Sequence, residues 1–197
     1  KLQKYVSKFI SLIDEKISLL EKTYSLYVSM RNNILNKLLS KKIMFNEFNC
    51  EWAVYPISQL IKNISIKNNQ IKKTEIKKEG LYKVVDQGKN KIAGYSNEKE
   101  RVFKDLPIIC FGDHTTIIKF IEEPFIVGGD GLKLFKPKKD NINIKYLFYA
   151  IENNNVNPEG YKRHYSILKN KKVPIPSINE QNKISGVLSA FDKKIEM

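Results

Sequence analysis

Two cysteines, Cys50 and Cys110, and two histidines, His114 and His164, are all the soft metal ligands this 197-residue sequence has. A structural zinc site needs four ligands at short, regular spacing, and a disulfide scaffold needs many more half-cystines. Neither pattern is present. Both cysteines read as ordinary reduced thiols, which points to a cytoplasmic setting. No run of 18 apolar residues exists, so no membrane-spanning helix is expected, and no signal-peptide pattern is read. Acidic residues are scarce against basic ones: 21 Asp and Glu face 35 Lys and Arg, for a net charge of +14. That excess is the footprint of a polyanion partner, and by itself does not separate DNA from RNA or an anionic membrane. Catalytic signatures are missing too. There is no Walker sequence, no Asn-Pro-Pro-Tyr or Asp-Pro-Pro-Tyr methyltransferase motif and no Gly-rich methyl-donor loop. Glu75-Ile76-Lys77 carries half of a Mg²⁺-nuclease motif without a placed Asp partner.

Glycine and proline are absent from Lys1 through Phe45, so nothing there interrupts a helix. What fills the stretch is a heptad. Val6, Ile10, Ile13, Ile17, Leu20, Tyr24, Tyr27, Arg31, Ile34 and Leu38 follow one another at alternating gaps of four and three. Only Arg31 breaks the apolar seam. The spacing predicts a coiled-coil helix of roughly 40 residues, about 60 Å long at ~1.5 Å per residue. A second row (Leu2, Phe9, Leu12, Leu19, Leu26) widens the stripe. Such a helix cannot bury its seam against itself and needs a partner helix.

The end of the chain offers one. Ser177-Ile178-Asn179-Glu180 reads as a capping box, with the Ser hydroxyl bonding an N–H three residues on and the Glu reaching back. Pro174 and Pro176 just before it stop the preceding strand. Ile184, Leu188, Phe191 and Ile195 then repeat the 4, 3, 4 spacing. The two helices are also copies. Shifted by 178 positions, Gln3 to Ile17 lies on Gln181 to Ile195 with six identities in fifteen, among them Gln, Asp and two Ser that no heptad requires. A long period of this kind marks a duplicated module of one helix plus one globular domain. The chain starts inside a helical pattern and ends as another begins, which reads as part of a longer protein.

Between the helices the pattern is mixed. Strands are expected near Leu81–Val85, Leu106–Phe111, Pro124–Val127 and Leu132–Phe135, punctuated by Gly94, Gly112, the Gly128-Gly129-Asp130-Gly131 cluster and Asp140-Asn141. Ile144–Asn153 has the broad apolar face of a helix. The fold class expected is therefore α+β, with residues 1–44 a long coiled-coil-forming helix, 45–176 a globular domain and 177–197 the start of a second such helix.

Three short motifs could carry chemistry or contact. Phe111-Gly112-Asp113-His114 looks like a catalytic dyad, but Thr115 and Thr116 sit in no recognised nucleophile context, and a structural turn is the simpler account. Gly128-Gly129-Asp130-Gly131 lacks the Lys-Ser/Thr of a phosphate loop and reads as a tight turn between strands. Gly160-Tyr161-Lys162-Arg163-His164-Tyr165 is the best contact candidate, with three cations and two aromatics in five residues. Arginine can pair bidentately with guanine, while Lys and His can reach phosphate oxygens. A solvated basic loop is the plain alternative. Lys89 and Lys91 form a weaker basic patch, as do Lys72 and Lys73.

In order and near-family spacing, the chain carries Val84-Val85-Asp86-Gln87, Ala93-Gly94-Tyr95, Ile108 to Thr115, Pro124 to Leu134, Gly160 to Tyr165, and Val173-Pro174-Ile175-Pro176 followed by Glu180-Gln181. Together with both helices, this set resembles the specificity subunits of type I restriction-modification systems over nearly the whole chain. The resemblance implies a target-recognition domain that binds double-stranded DNA, between helices that set the spacing of a bipartite site. It implies no cofactor and no catalysis here. The S-adenosylmethionine-dependent methyltransferase and the restriction endonuclease would be separate partner subunits. Tyr161, Lys162, Arg163, His164, Tyr165, Lys89 and Lys91 would face DNA. Pairing through the helices leaves a homodimer open, and a type II specificity subunit or a plain coiled-coil interaction protein are the alternatives.

Overall fold

The computed structural model describes residues 2–160 and 162–196. It divides into two units. One comprises the residues up to Asn46 together with those from Lys183 on, and the other runs from Glu47 to Asn182.

The first unit is built on α1, Leu2–Leu39. Uninterrupted by Gly or Pro, it ends where the Lys42 N–H turns back to the Lys37 carbonyl (2.9 Å) and Lys41 adopts a φ of 57°. This is a left-handed cap of the kind glycine usually supplies. Burial is confined to the last turns of α1, at Arg31, Leu35, Leu38 and Leu39. The helix α5, Ile178–Glu196, begins in the other unit and contributes buried Ile184 and Leu188 to this one. Arg31 Nε donates to Asp192 Oδ1 (3.0 Å), and the Lys183 ammonium lies 4.7 Å from the centre of the Phe45 ring. Position 31 meets 192 while 45 meets 183, so the two helices run antiparallel. Arg31 thus breaks the apolar seam for a reason: it is 8% exposed and answers an aspartate on the facing helix.

The second unit holds two four-stranded sheets and a ribbon. Its elements in chain order are β1 (Ala53–Pro56), α2 (Ile57–Leu60), β2 (Ile61–Ile64), β3 (Gln70–Ile71), β4 (Tyr82–Val85), β5 (Gly94–Ser96), β6 (Ile108–Gly112), β7 (Ile118–Ile121), β8 (Ile126–Gly128), β9 (Leu132–Pro137), α3 (Ile144–Asn153), α4 (Tyr165–Leu168) and β10 (Lys172–Ile175). One sheet has the order β2-β9-β6-β7, antiparallel throughout. The other has the order β3-β8-β4-β5 and is mixed, with β8 parallel to both of its neighbours. β1 and β10 pair as an antiparallel ribbon. The sheets pack face to face through Val85 and Val127 of one and Ile108, Cys110, Ile121, Leu132 and Leu134 of the other, with Phe103 and Phe125 between. Burial pushes the Cys110 thiol far above its ordinary range, so it is an inert core residue.

β6 is buried on both faces because α3 covers its other side, where Phe120 and Phe148 rings meet at 5.5 Å. α3 starts at Asn143, whose side chain accepts from the Tyr146 N–H (2.9 Å), and the Tyr146 hydroxyl reaches the Pro174 carbonyl (2.8 Å). The α5 start differs from expectation in one respect. The Ser177 hydroxyl accepts from the Glu180 N–H (3.3 Å), but the Glu180 carboxylate accepts from the Trp52 indole N–H (3.0 Å) and does not reach back to Ser177. A half-buried indole N–H needs an acceptor more than an exposed cap does.

The antiparallel pair generates a test. Asp192→Ala should remove the carboxylate that the buried Arg31 Nε bonds and lower stability by about 1–3 kcal/mol. Adding Arg31→Met should recover most of that loss in chemical denaturation. A double variant no better than Asp192→Ala alone would show that the ion pair is not what the site depends on.

Candidate nucleic-acid interface

The motifs singled out in the sequence converge on one place, the turn after β6. Asp113 is 3% exposed and His164 fully buried. The Asp113 N–H donates to the Gly131 carbonyl (2.7 Å), and its own carbonyl accepts from the His164 N–H (2.8 Å) and lies 3.1 Å from His164 Nδ1. Its carboxylate Oδ1 accepts from the Tyr165 N–H (2.8 Å). His164 Nε2 accepts from the Glu159 N–H (3.0 Å). With an amide hydrogen aimed at Nε2, the imidazole proton belongs on Nδ1, toward the Asp113 carbonyl. These bonds tie the pair to backbone, and nothing about it is a nucleophile–base arrangement.

Gln87 closes the other side. Its Oε1 accepts from the His114 N–H (3.1 Å), its Nε2 donates to the Asp130 carbonyl (3.1 Å), and its own carbonyl accepts from the Thr115 hydroxyl. Two glycines make room. A Cβ at Gly112 would lie 2.9 Å from Gln87 Cβ, and one at Gly131 would lie 2.7 Å from Gln87 Nε2, in a backbone with φ of 87°. Thr116 takes a φ of 59°, rare for a β-branched residue, while its N–H bonds the Gly112 carbonyl (2.8 Å) and Asn155 Nδ2 bonds its carbonyl (2.7 Å). Strain of this kind persists only where the surroundings over-determine it.

Two basic loops hang from this hub. The first runs from Asp86 to Lys91. The Gly88 N–H donates to Asp86 Oδ1 (2.8 Å), and Lys119, 8% exposed, donates to the carbonyls of Asp86 (2.8 Å) and Asn90 (2.6 Å). Pinned at both ends, the loop leaves Lys89 and Lys91 exposed. The second runs from Glu159 to Tyr165. Tyr161 lies outside the described residues. Lys162 is exposed and ion-paired with Glu159, which holds the Glu159 carboxyl below its ordinary range. Arg163 is exposed and has no hydrogen bond or ion pair among the described residues. Tyr165 is half-buried, with its ring centroid 6.4 Å from those of Phe111 and Phe135 and its hydroxyl donating to Asn63 Oδ1. His164 is a correction: expected to reach phosphate oxygens, it is enclosed, with both ring nitrogens committed to backbone. Its neighbourhood looked like a contact motif because exposed Lys162 and Arg163 stand directly beside the buried anchor.

The helix residues divide by position. Leu38, Ile184 and Leu188 are buried, Tyr27, Ile34, Phe191 and Ile195 are partly buried, and Val6, Ile10, Ile13, Ile17, Leu20 and Tyr24 are 42–59% exposed. Sequence reasoning missed the hub partners Gln87 and Lys119 and the surface residue Asn63. The Gly112 and Gly131 close approaches were the available signal for Gln87. Among the described residues, no cluster of His, Cys, Asp or Glu could hold a metal ion, and no helix is long and apolar enough to cross a membrane.

The sequence profile described as the type I restriction modification DNA specificity domain matches residues 49–197. The chain belongs to this family. The specificity subunit of the Escherichia coli type I restriction enzyme EcoR124I/EcoR124II is 32% identical over 124 residues, covering 55% of this chain and 30% of that protein. The crystal structure of the S subunit of a type I restriction-modification system from M. genitalium superposes with a TM-score of 0.72 at 17% identity, over 94% of this chain and 52% of that one. The HsdS subunit from Thermoanaerobacter tengcongensis gives 0.54 at 12% identity, over 92% and 48%. At such identities the structures share the fold. The specificity-domain chain spans a third to a half of these relatives' length.

The hub yields two predictions. His164→Ala strands the Glu159 N–H and opens a cavity, so stability should fall by about 2–4 kcal/mol, with new protease cleavage in 156–165. Unchanged cleavage would mean the loop is held elsewhere. Second, burial lowers the Lys119 pKa below its ordinary 10.5, with the Asp86 carboxylate pulling partly back. The unfolded chain then binds more protons just below pH 10.5, so this residue's contribution to stability rises with pH in that window. In urea unfolding, wild type should gain on Lys119→Met as pH rises toward 10.5. A difference constant with pH would refute this.

Proposed function

We propose that this specificity domain reads one half of a bipartite site in double-stranded DNA and performs no chemistry of its own. The observation that carries the reading is Arg163, exposed and with no hydrogen bond or ion pair among the described residues, on a segment anchored by the buried Asp113–His164 hub. Specific recognition needs such rigidity, because a donor that must first be ordered loses affinity in ordering. The hub residues that resemble a catalytic site are committed to backbone, which supports a recognition role over an enzymatic one. The net charge of +14 supplies the sequence-independent attraction to phosphates.

Methyltransferase and restriction subunits, as the family resemblance implies, are the partners proposed for the whole protein. The exposed stripe from Val6 to Tyr24 supports a helical partner for α1, which suits a spacer between two recognition domains.

Selection from a pool of random duplexes, followed by titration of the enriched sequence, tests this. Arg163→Ala should weaken the enriched duplex by about 1–3 kcal/mol and relax preference at one base pair. Lys162→Ala should weaken all duplexes alike and flatten the salt slope. A wild-type chain that enriches no sequence and binds no duplex at low salt would overturn the proposal.

A further inference from the structure

Beside the basic loop lies an open groove of about 330 Å³, bounded by Asn63, Ser65, Lys67, Lys133 and Tyr165. The end of β2 and the turn after it build it. Ile64 and Ile66 pack onto the inter-sheet core, while Asn63 on the strand and Ser65 and Lys67 just beyond it are exposed. Asn63 pairs with Phe135 across β2 and β9, and Lys133, two residues from Phe135, shares that face. The Tyr165 hydroxyl joins the strip to the loop that carries Arg163.

The chemistry of the strip is one-sided. The Asn63 oxygen is taken by the Tyr165 hydroxyl, which leaves the amide hydrogens to donate. Lys67 and Lys133 have no carboxylate partner among the described residues, and no Asp or Glu lines the groove. The neighbouring larger groove of about 930 Å³ differs, because Glu75, Asp86 and Asp130 stand among its cations. A surface whose only charges are positive, and whose Asn63, Ser65, Lys67 and Lys133 side chains can all donate, suits a base edge that offers acceptors and little else. In the major groove, guanine presents two adjacent acceptors, O6 and N7, whereas adenine adds a donor and cytosine presents a donor.

We infer that the strip formed by Asn63, Ser65, Lys67 and Lys133 reads a guanine through O6 and N7, in the half-site that Arg163 contacts. The inference rests on the proposed DNA reading and adds specificity-determining residues to it. All four lie at the surface or partly so, and the two lysines and Ser65 can be changed without disturbing the core.

The test uses the 197-residue chain and a randomised duplex pool. Wild type, Lys67→Gln, Lys133→Gln, Ser65→Ala and Arg163→Ala are each carried through selection. Wild type should enrich a motif with a guanine whose preference falls about tenfold in at least one of the two lysine variants, other positions being kept. Arg163→Ala should alter a different position. In the enriched duplex, 7-deazaguanine at the guanine should weaken wild type about tenfold and that lysine variant far less. Lysine variants that lower affinity for every duplex while enriching the wild-type motif would make the strip a phosphate contact and overturn the inference. Variants identical to wild type would place the strip off the interface and overturn it equally. If wild type itself enriches nothing, the DNA-reading proposal fails first, and this inference with it.

Discussion

The surface proposed to meet DNA depends on one buried contact set, the bonding of Asp113 and His164 to each other and to backbone from distant parts of the chain. Two enclosed polar side chains would be a heavy burden if any of their atoms were left unmatched. Here their ring nitrogens, carboxylate oxygen, amides and carbonyl meet Glu159, Tyr165 and Gly131. That matching fixes the exit of the Glu159–Tyr165 loop on the end of β6. Gln87 and Lys119 do the same for Asp86–Lys91. A buried, bonded set thus carries an exposed one. The exposed Lys89, Lys162 and Arg163 take no part in the hub's hydrogen bonds, so a side chain there can be changed without disturbing it.

The helical unit follows a different rule. α1 is helical along its whole length, but only its last turns are covered, by α5, and the remainder shows a continuous apolar stripe. The repeat between Gln3–Ile17 and Gln181–Ile195 gives that stripe a template. The later copy packs through Ile184 and Leu188 and sets Asp192 against Arg31. The earlier copy carries the same heptad and the same aspartate at Asp14. The repeated Asp is therefore a register device in at least one of its two occurrences, because a buried arginine tolerates few alignments of the facing helix.

Much of this was legible in advance for local reasons. A heptad without Gly or Pro can only be a long helix, and α1 is one. The four expected strands correspond to β4, β6, β8 and β9, and Ile144–Asn153 is α3 to the residue. The strands that went unread, β1, β2, β3, β5 and β7, are short or lysine-rich segments whose identity rests on the strand beside them, while the strand read ahead of the two prolines is β10, which runs through Pro174 to Ile175. The fold class was readable because apolar periodicity is a property of neighbours in sequence.

The contact surface was legible only in part, and His164 marks the limit. Sequence proximity put it with Lys162 and Arg163, since all are cationic or potentially so and adjacent. In three dimensions it belongs with Asp113, 51 residues away, because burial selects partners by distance in space and by matched donors and acceptors. The sequence by itself determined the long helix, the α+β class, the repeated helical segment and the basic character. Which basic side chains stay free, and that Asn63, Lys67 and Lys133 stand beside Arg163's loop, was decided by strand pairing and turn closure. Those are long-range contacts, and a residue's exposure is a property of everything that packs around it.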